Sequence, residues 1–348
     1  MYLHALATAL PPTALTQREC WDLLERSPER RRLAKRSVAL LRGILQRDNG
    51  ISTRHFALPE IERVFTLTPD ELNAAFRAEA PRLAARALRA ALAQAGLAAA
   101  QLNALVICTC TGYLCPGVTS YVAEELGLRP DLFLQDLVGA GCGAAIPALR
   151  ATHAVLAAQP EAVVACVAVE VCSAAFCLDD DPGVLVSACL FGDGAAATIW
   201  RRAPGASRLQ CRDFSTCHQP AERDSLRFEL RGGRLRNLLR PAVPGLAAAA
   251  VARLLETERA RPGARPINRI VTHTGGREVL DALERACPGV DLTLGREVLR
   301  ECGNMSSPSV LFVLERALRG AASDGAGDWW LSSFGAGFSA HGCRLGVD

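Results

Sequence analysis

Residues 132–158 read LFLQDLVGAGCGAAIPALRATHAVLAA and hold the plan of the chain in miniature. Leu132 to Val138 is an apolar run of strand length, Gly139, Gly141 and Gly143 interrupt it, and Cys142 to Ala158 continues as helix. Pro147 falls about the end of the first helical turn, where it removes at most one backbone bond. The same order recurs on either side. Ala104–Cys110 and Val163–Val171 are apolar, strand-like runs, and Ser120–Gly127 reads as helix. After a polar, arginine-rich stretch around 201–223 comes a second series: a helix from Pro244 to about Glu258, a strand at Asn268–Thr272, helices at Glu278–Cys287 and Ser309–Arg319, and a strand region from Trp329 through Gly342. Alternating strands and helices mean an α/β architecture, and near-continuous apolar strands mean sheets covered on both faces. Two halves of similar element order, 1–205 and 206–348, are expected to pack face to face, with alanine-rich helices such as Ala84–Ala100 close against the sheets.

Composition narrows the function. The 348 residues are 50% hydrophobic and 22% charged with a formal net charge of +3, which suits a large buried core and excludes disordered, collagen-like and coiled-coil chains. Lys35 is the single lysine, so a Schiff-base or P-loop lysine elsewhere is excluded. The run Arg30, Arg31, Arg32, Lys35 and Arg36 has few aromatics around it and reads as a solvated helix face, not a nucleic-acid site. The 14 cysteines are irregularly spaced. Cys108, Cys110 and Cys115 lack the second pair that zinc needs, and no metal site is expected. Met1 to Thr16 has no basic leader and is broken by Pro11 and Pro12, and no long apolar stretch reads as a membrane span. A cytoplasmic protein with reduced thiols is the expectation.

Three residue types stand at the ends of regular elements, where α/β folds gather their sites. Cys142 lies at a strand-to-helix junction, where the helix dipole and free backbone N–H groups favour thiolate, and its flanking glycines leave the sulfur open to approach. His273 ends a strand at the glycine turn Thr274-Gly275-Gly276. Asn304, in Cys302-Gly303-Asn304-Met305-Ser306-Ser307, precedes a helix.

These segments, with Leu190-Phe191-Gly192-Asp193-Gly194-Ala195-Ala196-Ala197 and Phe334-Gly335-Ala336-Gly337, resemble the type III polyketide synthases, the chalcone and stilbene synthase group of the thiolase superfamily. GNMSS together with LFGDGAAA is the specific part, and the arginine and alanine bias points to a bacterial member. The resemblance implies a thiolase-like fold, two α/β halves in a five-layered αβαβα arrangement, and a homodimer. It implies iterative decarboxylative condensation of malonyl-CoA onto an acyl starter, delivered as acyl-CoA or on an acyl carrier protein, and cyclisation to a pyrone, resorcinol or other aromatic. No cofactor is implied, because the substrates are thioesters. In that scheme Cys142 is the acyl-carrying nucleophile, His273 holds it as thiolate, and His273 with Asn304 donates to the malonyl carbonyl.

Other positions carry over from the same resemblance. Phe191 corresponds to a gate between tunnel and cavity, Ser306 to a serine beside the nucleophile, Ala175 to a residue that tunes cavity size, and Gly335 and Gly337 to a wall loop. Asp193 reads as a turn residue holding backbone N–H groups, and Asp179, Asp180 and Asp181 as a solvated turn. Arg54 and Arg47 are candidates for the nucleotide phosphates of CoA. Thr274 and Ala336 stand where the family often has proline, and no phenylalanine occurs at 235–238, where a second gate would fall. A more open gate favours a fatty acyl starter over a malonyl-only reaction. The alternatives are a ketoacyl-ACP synthase III-like enzyme making one condensation, and a non-catalytic partner subunit of the same fold.

Overall fold

The computed structural model describes residues 1–205, 209–320 and 327–347. Its first half holds β1 (Tyr2–Ala9), β2 (Thr13–Thr16), α1 (Gln17–Arg26), α2 (Lys35–Leu45), β3 (Thr53–Phe56), α3 (Pro69–Ala95), β4 (Ala104–Thr109), α4 (Val118–Leu126), β5 (Phe133–Val138), α5 (Ala145–Ala158), β6 (Val164–Glu170), α6 (Pro182–Leu190) and β7 (Gly194–Arg201). The second half holds β8 (Gln210–His218), β9 (Leu226–Arg231), β10 (Arg234–Leu239), α7 (Val243–Arg259), β11 (Ile267–Thr272), α8 (Arg277–Ala286), α9 (Thr293–Cys302), α10 (Ser309–Arg319), β12 (Gly327–Gly335) and β13 (Ser339–Val347).

Strands β5, β4 and β6 are parallel, and β7 and β1 continue the sheet antiparallel. In the second half β8, β13 and β12 are antiparallel and β11 runs parallel to β12. The two sheets meet at one corner, where Tyr2 of β1 pairs with Gln210 of β8, giving the order β5-β4-β6-β7-β1-β8-β13-β12-β11.

The alternation of side chains along each strand builds the layers. Ala104, Val106 and Cys108 of β4 share one core with α5, α10 and the residues Trp329 and Leu331 of β12. Leu105 and Ile107, on the opposite face of β4, pack with Phe76, Leu83, Ala84, Ala87 and Leu88 of α3. Trp330 and Phe334 of β12 face α7 and α8. The result is α3, sheet, α5 with α10, sheet, α7 with α8: the five layers expected. Every residue of β4 and β6 is buried, which is why those strands are apolar without alternation. α10 is buried nearly all round, at Val310, Leu311, Phe312, Val313, Leu314 and Ala317, as a helix between two sheets must be.

Three features depart from expectation. The stretch around 201–223, read as a polar connection, contains β8, a full member of the sheet. The hairpin β9–β10 forms a separate two-stranded sheet, closed by Gly232 and Gly233 at φ 57° and 76°, backbone that glycine adopts without penalty. Cys142 sits in a short 3-10 turn over Gly141–Gly143, and α5 begins only at Ala145. Among the described residues no helix is long and apolar enough to cross a membrane.

Candidate active site

The two central helices, α5 and α10, start side by side, and the residues just before each one meet. On the α5 side, Gly139 and Gly141 take left-handed backbone, at φ 90° and 57°, and turn the chain from β5 so that Cys142 faces inward with 7% of its surface exposed. On the α10 side, Ser306 also has positive φ, 60°, and its Oγ donates to Cys142 Sγ at 3.3 Å. β11 delivers His273, whose amide donates to the Ser332 carbonyl at 2.9 Å and whose ring lies edge-on to Phe334 at 5.0 Å.

Asn304 is fixed by four bonds. Its backbone bridges Phe191: the Asn304 amide donates to the Leu190 carbonyl at 2.9 Å, and the Gly192 amide donates to the Asn304 carbonyl at 3.0 Å. Its side chain is oriented at both ends, with Oδ1 accepting from the Ser306 amide at 2.8 Å and Nδ2 donating to the Gly275 carbonyl at 2.7 Å. One N–H of the amide is left over for a ligand.

Cys142, His273, Asn304, Phe191 and Phe334 line one cavity of about 550 Å³. Its far end carries the exposed side chains of Arg47, Arg240 and Arg277. A second cavity, of about 680 Å³, is walled by Cys110, Gly141, Ala174, Ala336, Gly337 and the hairpin β9–β10, and Leu226 lines both. The structure thus brings Cys142, His273, Asn304 and Phe191 together, with Ser306 against the sulfur and Gly337 on the second wall. Gly335 lies behind the nucleophile, where a Cβ would stand 3.0 Å from the Cys142 amide nitrogen.

Two expected residues are placed otherwise. Arg54 is not at a phosphate-accessible mouth: it is 2% exposed, and it donates to Gln17 Oε1 at 3.0 Å and to the carbonyls of Ala188 at 2.7 Å and Phe191 at 2.9 Å. The guanidinium is spent on the loop that holds Phe191, and the exposed arginines sit elsewhere. Ala175 is half-buried and lines neither cavity; its neighbour Ala174 does the lining.

Burial governs the electrostatics. The Cys142 thiol is pushed up to about 12 by burial, with Ser306 pulling the other way and Glu170 adding to the rise. Burial pulls the His273 imidazole down to about 3, and its Nδ1 has no hydrogen-bond partner. Burial favours the neutral form of both groups, in opposition to the helix-terminus effect expected to favour thiolate at Cys142.

Sequence reasoning missed Glu170, the acidic end of the apolar strand β6. Its carboxylate is fully buried, accepts from Cys110 N at 2.9 Å, Thr111 Oγ at 2.9 Å and Ser307 Oγ at 2.6 Å, and lies 3.4 Å from Ser306 Oγ, so it ties both halves together behind the nucleophile. Burial raises its pKa against those bonds. A lone carboxylate closing an apolar strand was the available signal. Asp193 does hold backbone N–H groups: it accepts from Ala57 N at 2.7 Å and Ser173 N at 2.8 Å, and burial lifts its pKa to about 6. The Asp179–Asp181 run is partly structural, with Asp181 capping α6 and Asp179 paired to Arg236 at 2.7 Å.

Comparison with known proteins agrees across the chain. Residues 3–204 match the family model described as chalcone and stilbene synthases, N-terminal domain, and residues 218–345 match the C-terminal domain. A 1,3,6,8-tetrahydroxynaphthalene synthase of Streptomyces peucetius subsp. caesius is 32% identical over 353 residues, covering 97% of this chain and 90% of its own. A 3,5-dihydroxyphenylacetyl-CoA synthase of Streptomyces toyocaensis is 30% identical, with 90% of this chain and 81% of its own covered. The solved structure of the tetrahydroxynaphthalene synthase of Streptomyces coelicolor A3(2), a bacterial type III polyketide synthase, superposes with a TM-score of 0.87 at 24% identity, covering 100% of this chain and 99% of that one.

Proposed function

The chain belongs to the chalcone and stilbene synthase family, the type III polyketide synthases, and on that premise we propose how its residues divide the work. The protein is an acyltransferase that condenses malonyl-CoA units iteratively, with loss of CO2, and cyclises the chain to an aromatic product. The observation that carries the assignment of residues is the convergence of Cys142, His273 and Asn304 on one cavity.

In this reading the empty site holds a neutral thiol and a neutral imidazole. As an acyl thioester, on CoA or a carrier protein, enters, His273 takes the Cys142 proton, the thiolate attacks the thioester carbonyl, and the departing thiol leaves with that proton. Malonyl-CoA then places its thioester oxygen between His273 and the free N–H of Asn304. As the carboxylate leaves as CO2, charge builds on that oxygen, and donors already fixed in place stabilise the enolate without reorganisation. The enolate carbon attacks the acyl group on Cys142, the Cys142 thiolate leaves, and reloading begins the next cycle. No metal, flavin or nicotinamide enters these steps.

Arg47, Arg240 and Arg277 are suited to the CoA phosphates, since they stand exposed at the outer end of the same cavity. Phe191 gates the passage, with Arg54 behind it as a positioning residue. A homodimer across β5 belongs to the same reading: β5 ends the sheet, and Phe133 and Val138 on it are 47% and 54% exposed.

The test is mass spectrometry of products after incubation with malonyl-CoA, alone and with acyl-CoA starters of increasing length. Products of two or more extensions are expected, and Cys142→Ala should give neither product nor covalent acyl adduct. A single-extension ketoacyl product, or none without a carrier protein, overturns the assignment in favour of a ketosynthase III-like enzyme or a partner subunit.

A further inference from the structure

Two arginines that none of these steps uses, Arg227 and Arg234, line the second cavity. Arg234, the first residue of β10, is half-buried and lines that cavity of about 680 Å³. Its guanidinium donates to the Leu67 carbonyl and pairs with no carboxylate among the described residues. Its neighbours differ: Arg227 pairs with Asp224 at 3.2 Å and Glu229 at 2.9 Å, and Arg236 with Asp179 at 2.7 Å and Glu229 at 3.0 Å. No aspartate or glutamate is among the residues that line the cavity. A guanidinium offers five N–H donors in a planar fork that fits a carboxylate with two parallel bonds, and a single carbonyl leaves most of them unused.

The rest of the wall indicates what kind of molecule would bring that carboxylate. Leu72, Phe76, Ala174, Leu226, Phe228 and Leu235 supply apolar surface. Gly141, beside the nucleophile, and Cys110, whose Sγ lies 3.3 Å from Ser306 Oγ, place the cavity next to Cys142. The space suits a chain that starts at Cys142, runs over apolar surface and ends in an anion.

We propose that Arg234 binds a carboxylate at the end of the growing chain remote from its thioester, and so selects a dicarboxylic starter, malonyl itself. The proposal rests on the reading that Cys142 carries the chain, and it replaces the fatty acyl starter expected from the sequence. Loading is thioester exchange: the bond between sulfur and acyl carbon in malonyl-CoA breaks, the bond to Cys142 Sγ forms, CoA leaves as thiol with the Cys142 proton, and the malonyl carboxylate is untouched. Only the extender units, whose carbonyl lies between His273 and Asn304, lose CO2. Each extension moves the starter end two carbons further from Cys142, until its carboxylate reaches Arg234 in the second cavity. A hydrocarbon tip would instead desolvate the guanidinium and give it no partner.

The test compares the full-length wild type with Arg234→Gln and Arg234→Lys. Gln keeps an N–H for the Leu67 carbonyl but removes the charge; Lys keeps the charge but not the fork. Two rates are measured by product mass spectrometry, one with malonyl-CoA alone and one with hexanoyl-CoA plus malonyl-CoA. Arg234→Gln should lower the malonyl-only rate about 10- to 100-fold, the value of a charged hydrogen bond, and raise the hexanoyl-primed rate, since no guanidinium is left for the hydrocarbon tip to desolvate, with partial recovery of the malonyl-only rate in Arg234→Lys. An unchanged ratio of the two rates in a productive enzyme, whether both are kept or both fall, overturns the role of Arg234 alone. A wild type that makes no product of two or more extensions from any starter overturns the underlying function, and this proposal with it.

Discussion

Replacing Gly335 with alanine probes how closely the nucleophile turn is held. A Cβ at 335 would stand 2.5 Å from the amide nitrogen of Gly143, 2.8 Å from the carbonyl oxygen of Ala140 and 3.0 Å from the amide nitrogen of Cys142. All three are backbone atoms, so no side chain can swing aside. Ordinary contact begins near 3.4 Å, and one partner must retreat by about 0.9 Å. β12 is the less able to move, since it is buried throughout and hydrogen-bonded to β13 as far as Gly335 and Ser339. The turn yields and takes Cys142 with it. Misplacing a reacting group by about 1 Å costs on the order of 10²-fold in rate, and overpacking costs about 1–3 kcal/mol of stability. Steady-state product formation from malonyl-CoA, together with thermal melting, reads both. We expect kcat to fall about 100-fold and KM to change far less, because the arginines at the cavity mouth are untouched. Gly43→Ala is the control. Gly43 lines the same cavity from inside α2 with nothing within 4 Å of an added Cβ, and alanine there should stabilise the helix by about 0.5–1 kcal/mol. A wild-type kcat in Gly335→Ala, or equal losses in the two variants, refutes the reasoning.

Asn304→Ala should slow malonyl-CoA decarboxylation about 10²- to 10³-fold, as loss of one preorganised donor does; CO2 release followed directly would expose a near-normal rate and remove Asn304 from the mechanism. The Cys142 thiol, held at about 12 by burial, is protonated below that value, and its thiolate fraction rises tenfold per pH unit as pH climbs. Alkylation of Cys142 by iodoacetamide should therefore increase steadily from about pH 6 to about pH 9; a plateau already reached below neutral pH would show that the empty enzyme holds a thiolate–imidazolium pair instead.

Legibility followed burial. Strands such as Val164–Glu170 are enclosed on both faces, so their sequence is apolar up to the closing Glu170 and their place in the sheet is directly legible; the helix expected at Ser309–Arg319 is α10 to the residue. β8 and the hairpin β9–β10 were lost because their alternating polar residues and arginines look like a connection. The pair Gly232-Gly233 between two alternating runs was the turn signal that identifies the hairpin. Cys142, His273 and Asn304 were legible because each stands at an element end beside glycine. Arg54 was misread because its partners, the carbonyls of Ala188 and Phe191, lie 134 and 137 residues away along the chain, and nothing local marks an arginine for burial. The second cavity is hidden for the same reason, being assembled from α3, the loop after β4, the end of β5 and the hairpin.

The hairpin β9–β10 stands apart from the nine-stranded sheet, yet its residues face both cavities. Among the described residues, none of the hydrogen bonds that fix Cys142, His273 and Asn304 comes from it. Substitutions or changes of length in residues 226–239 can therefore redraw the space in which a chain folds and closes while the condensing groups stay in register. Product diversity among such enzymes can then arise by drift in one short ribbon, with the reaction itself inherited intact, and a library confined to this segment is the economical route to new ring patterns.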